Sequence, residues 1–321
     1  MKKFILLSLC AFQLAIGSFA QTNISTSFAV NTTLTLANSP YVITNSININ
    51  DGVTVTIEKG VEVRFNSGVY LQAFGTLNAK GVNFTANTTK TKGFWDGIYV
   101  SYEYSASIGS VTLDSCNVEF ASNLYSRHGQ LTLKKTTLNN FSGHGVQVSN
   151  VGTLNITNSV IKNVNYPIYM YGPGKIVNGG NNQLTGNAAD YVYMAFNNIP
   201  GVFDMPNLGI PYYCNYMLVT ETGTLNISPG TQLKFVNCEF TISGKIKALG
   251  TALNPIIFDM HPTASYWLGI NIQPMPLIQP VFLRTVFSRT LSMITSPTLQ
   301  WKLTQLLRPS RIASLLQMPG T

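Results

Sequence analysis

The strongest constraint on the fold of this chain is a short repeat in its middle third. Four segments align by an opening glycine, at Gly109, Gly129, Gly152 and Gly174, and recur with a period of about 22 residues. The second residue after each glycine is apolar, and the fourth is apolar in three segments, with Asn178 as the exception. These apolar positions are Val111, Leu131, Leu154 and Ile176, then Leu113, Leu133 and Ile156. Such alternation predicts one half-buried β-strand per segment.

A second strand is predicted in each repeat after a polar corner. The first three segments place an apolar residue nine positions after the glycine, at Val118, Leu138 and Ile161. The corners between the strands hold Asp, Ser, Lys, Thr and Asn, which suit tight bends. The period of an α-helix and the Leu and Asn spacing of leucine-rich repeats are both missing. The sequence therefore predicts an all-β parallel β-solenoid, in which each coil is stabilised by stacking on its neighbours.

A longer duplication lies over the short repeat. The matching segments are 52–65 with 223–235, 75–81 with 244–250, and 94–100 with 266–272. The match aligns Trp95 with Trp267. We therefore expect a β-helix module over residues 21–210 and the start of a second, similar module over residues 211–273.

The two ends of the chain differ from the middle. Residues 1–20 combine two lysines, an uncharged apolar run and small residues before Gln21, which is typical of a signal peptide. Residues 274–321 contain no Asn, Asp, Glu or Tyr and a single Gly. This change predicts an aberrant tail, for which we hypothesise a shift of the reading frame near residue 274. A genuine C-terminal segment with weak patterning is the alternative.

The net charge of +8 comes almost entirely from these ends. The residues between them carry thirteen Lys and Arg against twelve Asp and Glu. A nearly neutral middle lacks the basic surface that phosphate binding requires, so we expect no nucleic-acid partner. No stretch after residue 20 approaches the roughly 20 apolar residues that span a bilayer, so no transmembrane segment is predicted.

Several spaced motifs resemble a known family. They are G-T-L-x-I-x-P-G-T-x-L-x-F at 223–235, G-x-I-x-A-x-G-T at 244–251, N-P-I-I-F at 254–258 and W-x-G-I at 267–270. With their counterparts upstream, they make residues 40–273 similar to the secreted bacterial right-handed parallel β-helix proteins of the pectin-lyase-like superfamily. The resemblance implies a right-handed β-helix with coils of about 22 residues, located outside the cell or on its outer surface.

The same resemblance makes His144 a candidate catalytic residue, because Gly143-His144-Gly145 matches a triplet found in galacturonase-type hydrolases of the superfamily. Such hydrolysis needs two carboxylates that flank the bond. The remaining candidates near His144 are Asp114, Glu119 and Arg127, and none lies in the family's N-x-D, Asp-Asp or R-x-K motif. We therefore interpret His144 as a turn residue before a strand at Val146, whose neighbouring glycines give the backbone freedom.

A metal site is not predicted either. Calcium-dependent lyases of the superfamily hold the ion with carboxylates in one column of adjacent coils, and hard cations need several oxygen ligands together. Here Asp114 is followed in its column by Lys134 and Thr157, so an ion pair between coils is expected instead. We expect no metal and no cofactor, calcium included.

Aromatic residues supply the candidate ligand-binding set. Five tyrosines fall on consecutive coils: Tyr166, Tyr169, Tyr171, Tyr191 and Tyr193. Outward tyrosines would form an aromatic strip suited to glycan binding, whereas inward ones would form an internal stack. Alternation places Ile168 and Met170 on one face and Tyr169 and Tyr171 on the other, so at least some of the tyrosines are predicted to face outward. Trp95 has two interpretations, core packing or a platform for stacking sugars, and only its exposure distinguishes them.

Three cysteines remain after the predicted signal peptide, and an odd number excludes a fully paired framework. Cys214 and Cys238 lie about one coil apart and could pair after export, whereas buried free thiols are equally consistent with the sequence.

Three functional hypotheses follow. The first is a secreted or cell-surface β-helix protein without enzymatic activity, which binds polysaccharide or extracellular matrix for adhesion. The second is a divergent polysaccharide lyase or glycoside hydrolase of pectin-lyase-like fold. The third is a structural spacer.

Overall fold

The chain folds as a parallel β-solenoid of about 11 turns, seen in a computed structural model. Strands make up about 51% of it, and the described part contains no α-helix, only a 3-10 turn at Leu36–Asn38. The predicted all-β solenoid with coils of roughly 22 residues is thereby confirmed. The described residues are 21–102, 104–273, 281–284 and 286–288.

Short strands follow one another along the whole described chain. The first ten are β1 (Thr22–Ile24), β2 (Thr32–Leu34), β3 (Tyr41–Ile43), β4 (Ile47–Ile49), β5 (Thr54–Ile57), β6 (Glu62–Phe65), β7 (Tyr70–Ala73), β8 (Thr76–Lys80), β9 (Asn83–Ala86) and β10 (Trp95–Val100). The next ten are β11 (Gly109–Asp114), β12 (Asn117–Glu119), β13 (Ala121–Lys134), β14 (Thr137–Asn139), β15 (Val146–Thr157), β16 (Val160–Lys162), β17 (Ile168–Met170), β18 (Lys175–Asn178), β19 (Val192–Met194) and β20 (Asn198–Ile199). The remaining strands are β21 (Val202–Met205), β22 (Tyr212–Cys214), β23 (Met217–Val219), β24 (Thr224–Ile227), β25 (Gln232–Phe235), β26 (Phe240–Ile242), β27 (Lys245–Leu249), β28 (Ile256–Met260), β29 (Ile270–Ile272), β30 (Val281–Arg284) and β31 (Val286–Ser288).

The strands stack into long parallel faces. Face A is the seven-stranded sheet β1-β3-β6-β9-β12-β14-β16. Face B runs from β4 through β7, β10, the first halves of β13 and β15, then β17, β19, β22, β25, β28 and β31. Face C contains β2, β5, β8, β11, the second halves of β13 and β15, and β18. Sheets β20-β23-β26-β29 and β21-β24-β27-β30 complete the later coils.

The repeat predicted the stacking register on face C. Gly109 pairs with Gly129 and Gly129 with Gly152, so the opening glycines form a column. The apolar positions two and four residues later also stack coil on coil and are buried. On face A, Val118 pairs with Leu138 and Leu138 with Ile161, as the second predicted strand requires.

The glycine column has a steric cause. It lies where face B turns into face C. A Cβ atom on Gly129 would collide with the backbone oxygen of Gly109, and one on Gly152 would collide with the oxygen of Ser126. Any larger residue would push two coils apart, so the spacing of glycines in the sequence marks this corner of the solenoid.

The corner between faces C and A uses the left-handed backbone conformation. Its occupants in successive coils are Gly81, Ser115, Lys135 and Asn158, all with φ between 49° and 63°. A tight turn between two strands demands this conformation, which Gly and Asn adopt more readily than other residues. The polar composition predicted for the corners therefore reflects turn geometry.

Two equivalent ring stacks lie in the core. Trp95 stacks on Phe65 with centroids 3.8 Å apart and planes 6° from parallel, and Trp267 stacks on Phe235 at 5.0 Å and 3°. These four positions are the ones that the longer duplication aligns. The aromatic residues that the duplication aligns therefore form the same kind of ring stack in both places. The division into two modules stays a prediction from the sequence.

The aligned strands do not share a face. Strand β6 belongs to face A, whereas its sequence counterpart β25 continues face B. β22 pairs directly with β19, so the sheet runs without a break across the predicted module boundary at residue 210. The later coils are therefore displaced by one face around the solenoid axis.

The predicted terminal segments fall largely outside this description. Residues 1–20 are not among the described residues. Of the predicted aberrant tail, 274–321, only the backbone of β30 and β31 is described, and these strands pair in parallel with β27 and β28.

Candidate binding face

One outward column of face B is dominated by tyrosine. Because side chains alternate along a strand, the middle residue of each short strand points away from the core when its neighbours are buried. Strand pairing places these residues directly above one another along the solenoid axis. In order they are Gln72, Tyr99, Tyr125, Gln147, Tyr169, Tyr193, Tyr213, Lys234 and Asp259.

Three consecutive members form what we call the tyrosine ladder: Tyr169, Tyr193 and Tyr213. Tyr169 and Tyr193 stack with centroids 5.0 Å apart and planes 5° from parallel, and Tyr193 and Tyr213 stack at 5.0 Å and 17°. This separation is close to the distance between hydrogen-bonded strands, so the backbone sets the ring spacing. The rings turn their faces to one another and present edges and hydroxyl groups outward.

The other predicted tyrosines surround the ladder. Tyr166 lies 4.8 Å from Tyr193, Tyr171 lies edge-on 4.9 Å from Tyr169, and Tyr191 lies 5.9 Å from Tyr213. Tyr171 is 55% exposed, while the neighbouring Ile168 and Met170 are buried, as alternation predicted. The five predicted tyrosines therefore lie together on one face.

A histidine ring packs against the tyrosine at each end of the ladder. His144 stacks on Tyr169 with centroids 4.3 Å apart, and His261 meets Tyr213 edge-on at 4.9 Å. Burial lowers the pKa of both imidazoles, and for His261 the charge of Lys234 lowers the pKa further. Both rings are therefore neutral at pH 7.

The ladder itself is uncharged. Burial is the largest cause that raises the phenol pKa of Tyr166, Tyr169 and Tyr213, and neighbouring tyrosines raise it further. These hydroxyls therefore stay protonated and able to donate hydrogen bonds. Lys234 and Asp259, which follow in the column, neutralise each other through a 2.7 Å ion pair.

A second aromatic group lies on the same face, nearer the start of the chain. Tyr70 stacks on Tyr99 at 5.0 Å, and Tyr99 meets Tyr125 edge-on at 4.6 Å. The guanidinium of Arg127 lies over both later rings, 4.9 Å from the centroid of Tyr99 and 4.5 Å from that of Tyr125. Cation–π contact therefore accounts for the position of this Arg, which the sequence had offered as a catalytic candidate.

Gln147 separates the two aromatic groups. Its side chain is buried, and its Oε1 has no hydrogen-bond partner in the described protein. Nδ1 of His144, on the same coil, is also buried without a partner among the described residues. Because both atoms lie beneath the surface, a ligand on this face would reach them only after a local rearrangement of side chains.

His144 occupies the turn that the sequence predicted, one residue after Gly143 and two before β15. Its backbone N–H donates to Oδ1 of Asn123 at 2.7 Å. The explanation of the flanking glycines was wrong, however, because neither adopts a positive φ. A Cβ on Gly143 would collide with Asn123, and one on Gly145 with Ile161, so close packing is what excludes larger residues.

The structure does not bring the acidic candidates to His144. Asp114 lies at the edge of face C, 3.8 Å from Lys134 in the predicted ion pair between coils. Glu119 lies on face A and accepts a 2.9 Å hydrogen bond from Asn139. In the described part of the chain, no group of three or more His, Cys, Asp or Glu side chains is arranged to hold a metal ion.

Trp95 is a core residue, so its interpretation as a platform for stacking sugars was wrong. Its side chain is 0% exposed, and its indole N–H donates to the backbone oxygen of Glu119 at 2.8 Å. A ring without an exposed surface cannot stack on a sugar. The alternation around Trp95 is interrupted at Gly97, which hid this orientation from the sequence pattern.

The three cysteines are free and buried. Cys214 and Cys238 do not form the disulfide considered above; the thiol of Cys238 instead lies 3.5 Å from the backbone oxygen of Cys214. Burial raises the pKa of all three thiols, that of Cys116 to about 11.

Several residues of the face were not predicted from the sequence. They are Tyr70, Tyr99, Tyr125, Gln147 and Tyr213. Most lie in a strand between small or apolar residues, as in Leu124-Tyr125-Ser126. However, the number of residues that separates successive members of the column along the sequence changes from coil to coil. A search for aromatic residues between such neighbours would have found most of them.

Comparison with known proteins identifies no relative. No model of a protein family matches the chain, and neither a curated protein nor a solved structure matches it. Among the described residues, no helix is long and apolar enough to cross a membrane.

Proposed function

We propose that this protein is a secreted or cell-surface right-handed β-helix protein, similar to the pectin-lyase-like superfamily, that binds polysaccharide without cleaving it. The tyrosine ladder carries the proposal. Three neutral phenols stand at regular spacing along the solenoid axis, with Tyr166, Tyr171 and Tyr191 beside them. A polysaccharide lying along this axis would meet one hydroxyl at each coil.

The chemistry of the face favours a neutral glycan. Around the ladder the hydroxyls and imidazoles are uncharged at pH 7, and the Lys234–Asp259 pair is neutralised internally; the guanidinium of Arg127 lies apart, over the second aromatic group. Tyr171, which is 55% exposed beside the ladder, offers a ring surface. Sugars combine hydroxyl groups with apolar C–H surfaces, which matches this mixture.

The second candidate function is a divergent polysaccharide lyase or hydrolase. One observation favours it: the imidazole of His144 is neutral and stacks on Tyr169 of the ladder, and its Nδ1, buried beneath the face, has no hydrogen-bond partner among the described residues. General base catalysis by His144 would need a substrate proton within hydrogen-bond reach. The acidic candidates Asp114 and Glu119 lie on other faces, so we rank this function below binding.

A glycan-array screen of the full-length chain tests the proposal, run beside assays for new reducing ends and unsaturated products. Tyr193→Phe keeps the stack and removes one hydroxyl, whereas Tyr193→Ala removes both. We expect both variants to weaken binding, with the larger loss in Tyr193→Ala. Tyr266→Ala, at a 48% exposed tyrosine that makes no ring contact with the ladder, is the matched control and should bind normally.

The outcomes separate the three functions. Binding without turnover that depends on Tyr193 supports a carbohydrate-binding protein. Turnover that His144→Ala abolishes supports the enzyme. Neither binding nor turnover on any glycan would contradict both proposals and favour the structural spacer.

A further inference from the structure

Face C carries a second regular surface, which we call the hydroxyl face. It consists of two outward columns that run in register over five consecutive coils. One column is Thr54, Thr76, Ser110, Gln130 and Thr153, and the other is Thr56, Asn78, Thr112, Thr132 and Asn155. None of these side chains is charged or aromatic, and seven of the ten carry a hydroxyl group.

The positions of these side chains are fixed in two dimensions. Neighbouring strands lie about 4.8 Å apart, and alternate residues along a strand lie about 6.6 Å apart, so the two columns define a near-rectangular lattice. The buried residues between the columns, such as Val111 and Leu131, hold the strands against the core. A periodic ligand would therefore meet an array that is already ordered and loses little further entropy on binding.

The hydroxyls of this face are unused by the protein. Those of Thr54, Thr56 and Thr76, and those of Ser110, Thr112 and Thr153, make no side-chain hydrogen bond within the described part of the chain. Thr132 is the exception, since its hydroxyl accepts a 3.2 Å hydrogen bond from Asn155.

Face A provides an internal comparison. Its outward amides bind one another from coil to coil, for example Asn117 to Asn83 at 3.1 Å and Asn163 to Asn139 at 2.8 Å. Side chains there satisfy their own hydrogen bonds. On the hydroxyl face, by contrast, most hydroxyl groups have no partner within the described residues.

The lattice restricts what that partner can be. A polymer with charged groups would find no opposite charge within the two columns; the charged residues Lys80, Asp114 and Lys134 lie in the next outward column, where Asp114 and Lys134 form an ion pair. A single sugar chain is periodic in one direction only and finds no ring to stack on. The partner must be neutral, rich in hydrogen-bonding groups and periodic in two directions. A crystal surface of ice meets these conditions, because its water molecules are neutral, donate and accept hydrogen bonds and repeat in two directions.

We propose that the hydroxyl face binds the surface of ice crystals. Threonine suits this role because its hydroxyl can replace a lattice water while its methyl group orders the water beside it. The hydroxyl face lies on a different side of the solenoid from the tyrosine ladder, so ice binding does not depend on polysaccharide binding.

Slow freezing of a dilute solution of the full-length chain tests the proposal, since an ice-binding protein is incorporated into the growing ice. We expect the wild type to enter the ice. In Thr112→Tyr and Thr56→Tyr a bulky ring breaks the flat lattice, and we expect the ratio of protein in ice to protein in liquid to fall about tenfold or more. Tyr has a high β-propensity, so both variants should keep the fold.

Thr137→Tyr, at a half-buried threonine of face A, is the matched control and should enter the ice like the wild type. Circular dichroism melting checks that each variant is folded; if Thr112→Tyr is not, the exposed position Thr56 carries the test. Exclusion of the wild type from ice would overturn the proposal, as would equal incorporation of a folded Thr56→Tyr. Loss of binding to crystalline cellulose in these variants, with ice incorporation unchanged, would assign the face to a polysaccharide surface instead.

Discussion

The imidazole of His144 stacks on the phenol ring of Tyr169, with centroids 4.3 Å apart and planes inclined by 17°. The histidine is therefore a further rung of an aromatic column, contributed by a turn and not by a strand. This contact explains why a Gly-His-Gly triplet can stand here without the carboxylates that a hydrolase needs. It also shields the ring from water, which is why burial lowers the pKa of His144.

Acid should destabilise the protein through this histidine. The folded-state pKa of His144 lies below its ordinary value of 6.5, so the unfolded chain binds a proton more readily than the folded one. The stability that this group contributes is therefore present above pH 6.5 and is lost as the pH falls through the folded-state pKa. His144→Phe keeps a flat ring without the titration, and we expect its melting temperature to fall less steeply in acid. His261 titrates in both proteins, and parallel pH profiles would contradict the assignment to His144.

The glycine column should tolerate no side chain. Gly152→Ala would place a methyl group against the backbone oxygen of Ser126, so we expect a loss of about 3 kcal/mol in the free energy of unfolding, at the upper end of overpacking costs. Gly201→Ala is the matched control, because nothing lies within 4 Å of its Cβ position and its φ is not positive. Urea denaturation of both variants measures the difference. Equal stability of the two would refute the steric explanation.

Removal of the buried indole should be among the most damaging single changes. Trp95→Ala deletes a fully buried ring that stacks on Phe65, and we expect it to cost about 3–5 kcal/mol. Trp95→Phe should cost less, because a ring remains to stack. Tyr104, which is 93% exposed, serves as control, and Tyr104→Ala should stay within about 0.5 kcal/mol of the wild type. A small effect of Trp95→Ala on denaturant unfolding would show that the ring is not in the core.

The sequence predicted the coils well because their determinants are local. Alternation around Leu131 and Leu154 identifies a strand, and the glycines at Gly129 and Gly152 mark a corner, so the stacking register follows from counting residues. Turn residues such as Asn158 are equally local, since the left-handed conformation is a property of one residue.

The candidate site was only partly predictable, because its members meet across coils of unequal length. Tyr99 and Tyr125 are separated by a longer stretch of chain than Tyr193 and Tyr213, yet each pair is adjacent in the column. The shift of the later coils by one face adds to this difficulty, since β25 stacks on β22 in face B, whereas its sequence counterpart β6 lies in face A. A local pattern cannot reveal which strands become neighbours after such a shift.

The buried cysteines should be chemically inert in the folded protein. The thiolate is the reactive species, and burial raises the pKa of Cys116 to about 11 and raises those of Cys214 and Cys238 as well. Alkylation of the native protein at neutral pH, followed by peptide mass mapping, should leave these three residues unmodified, whereas alkylation in denaturant should modify all of them. Rapid native labelling would contradict their burial. Recovery of a peptide that links Cys214 to Cys238 without prior oxidation would contradict the free thiols seen in the structure.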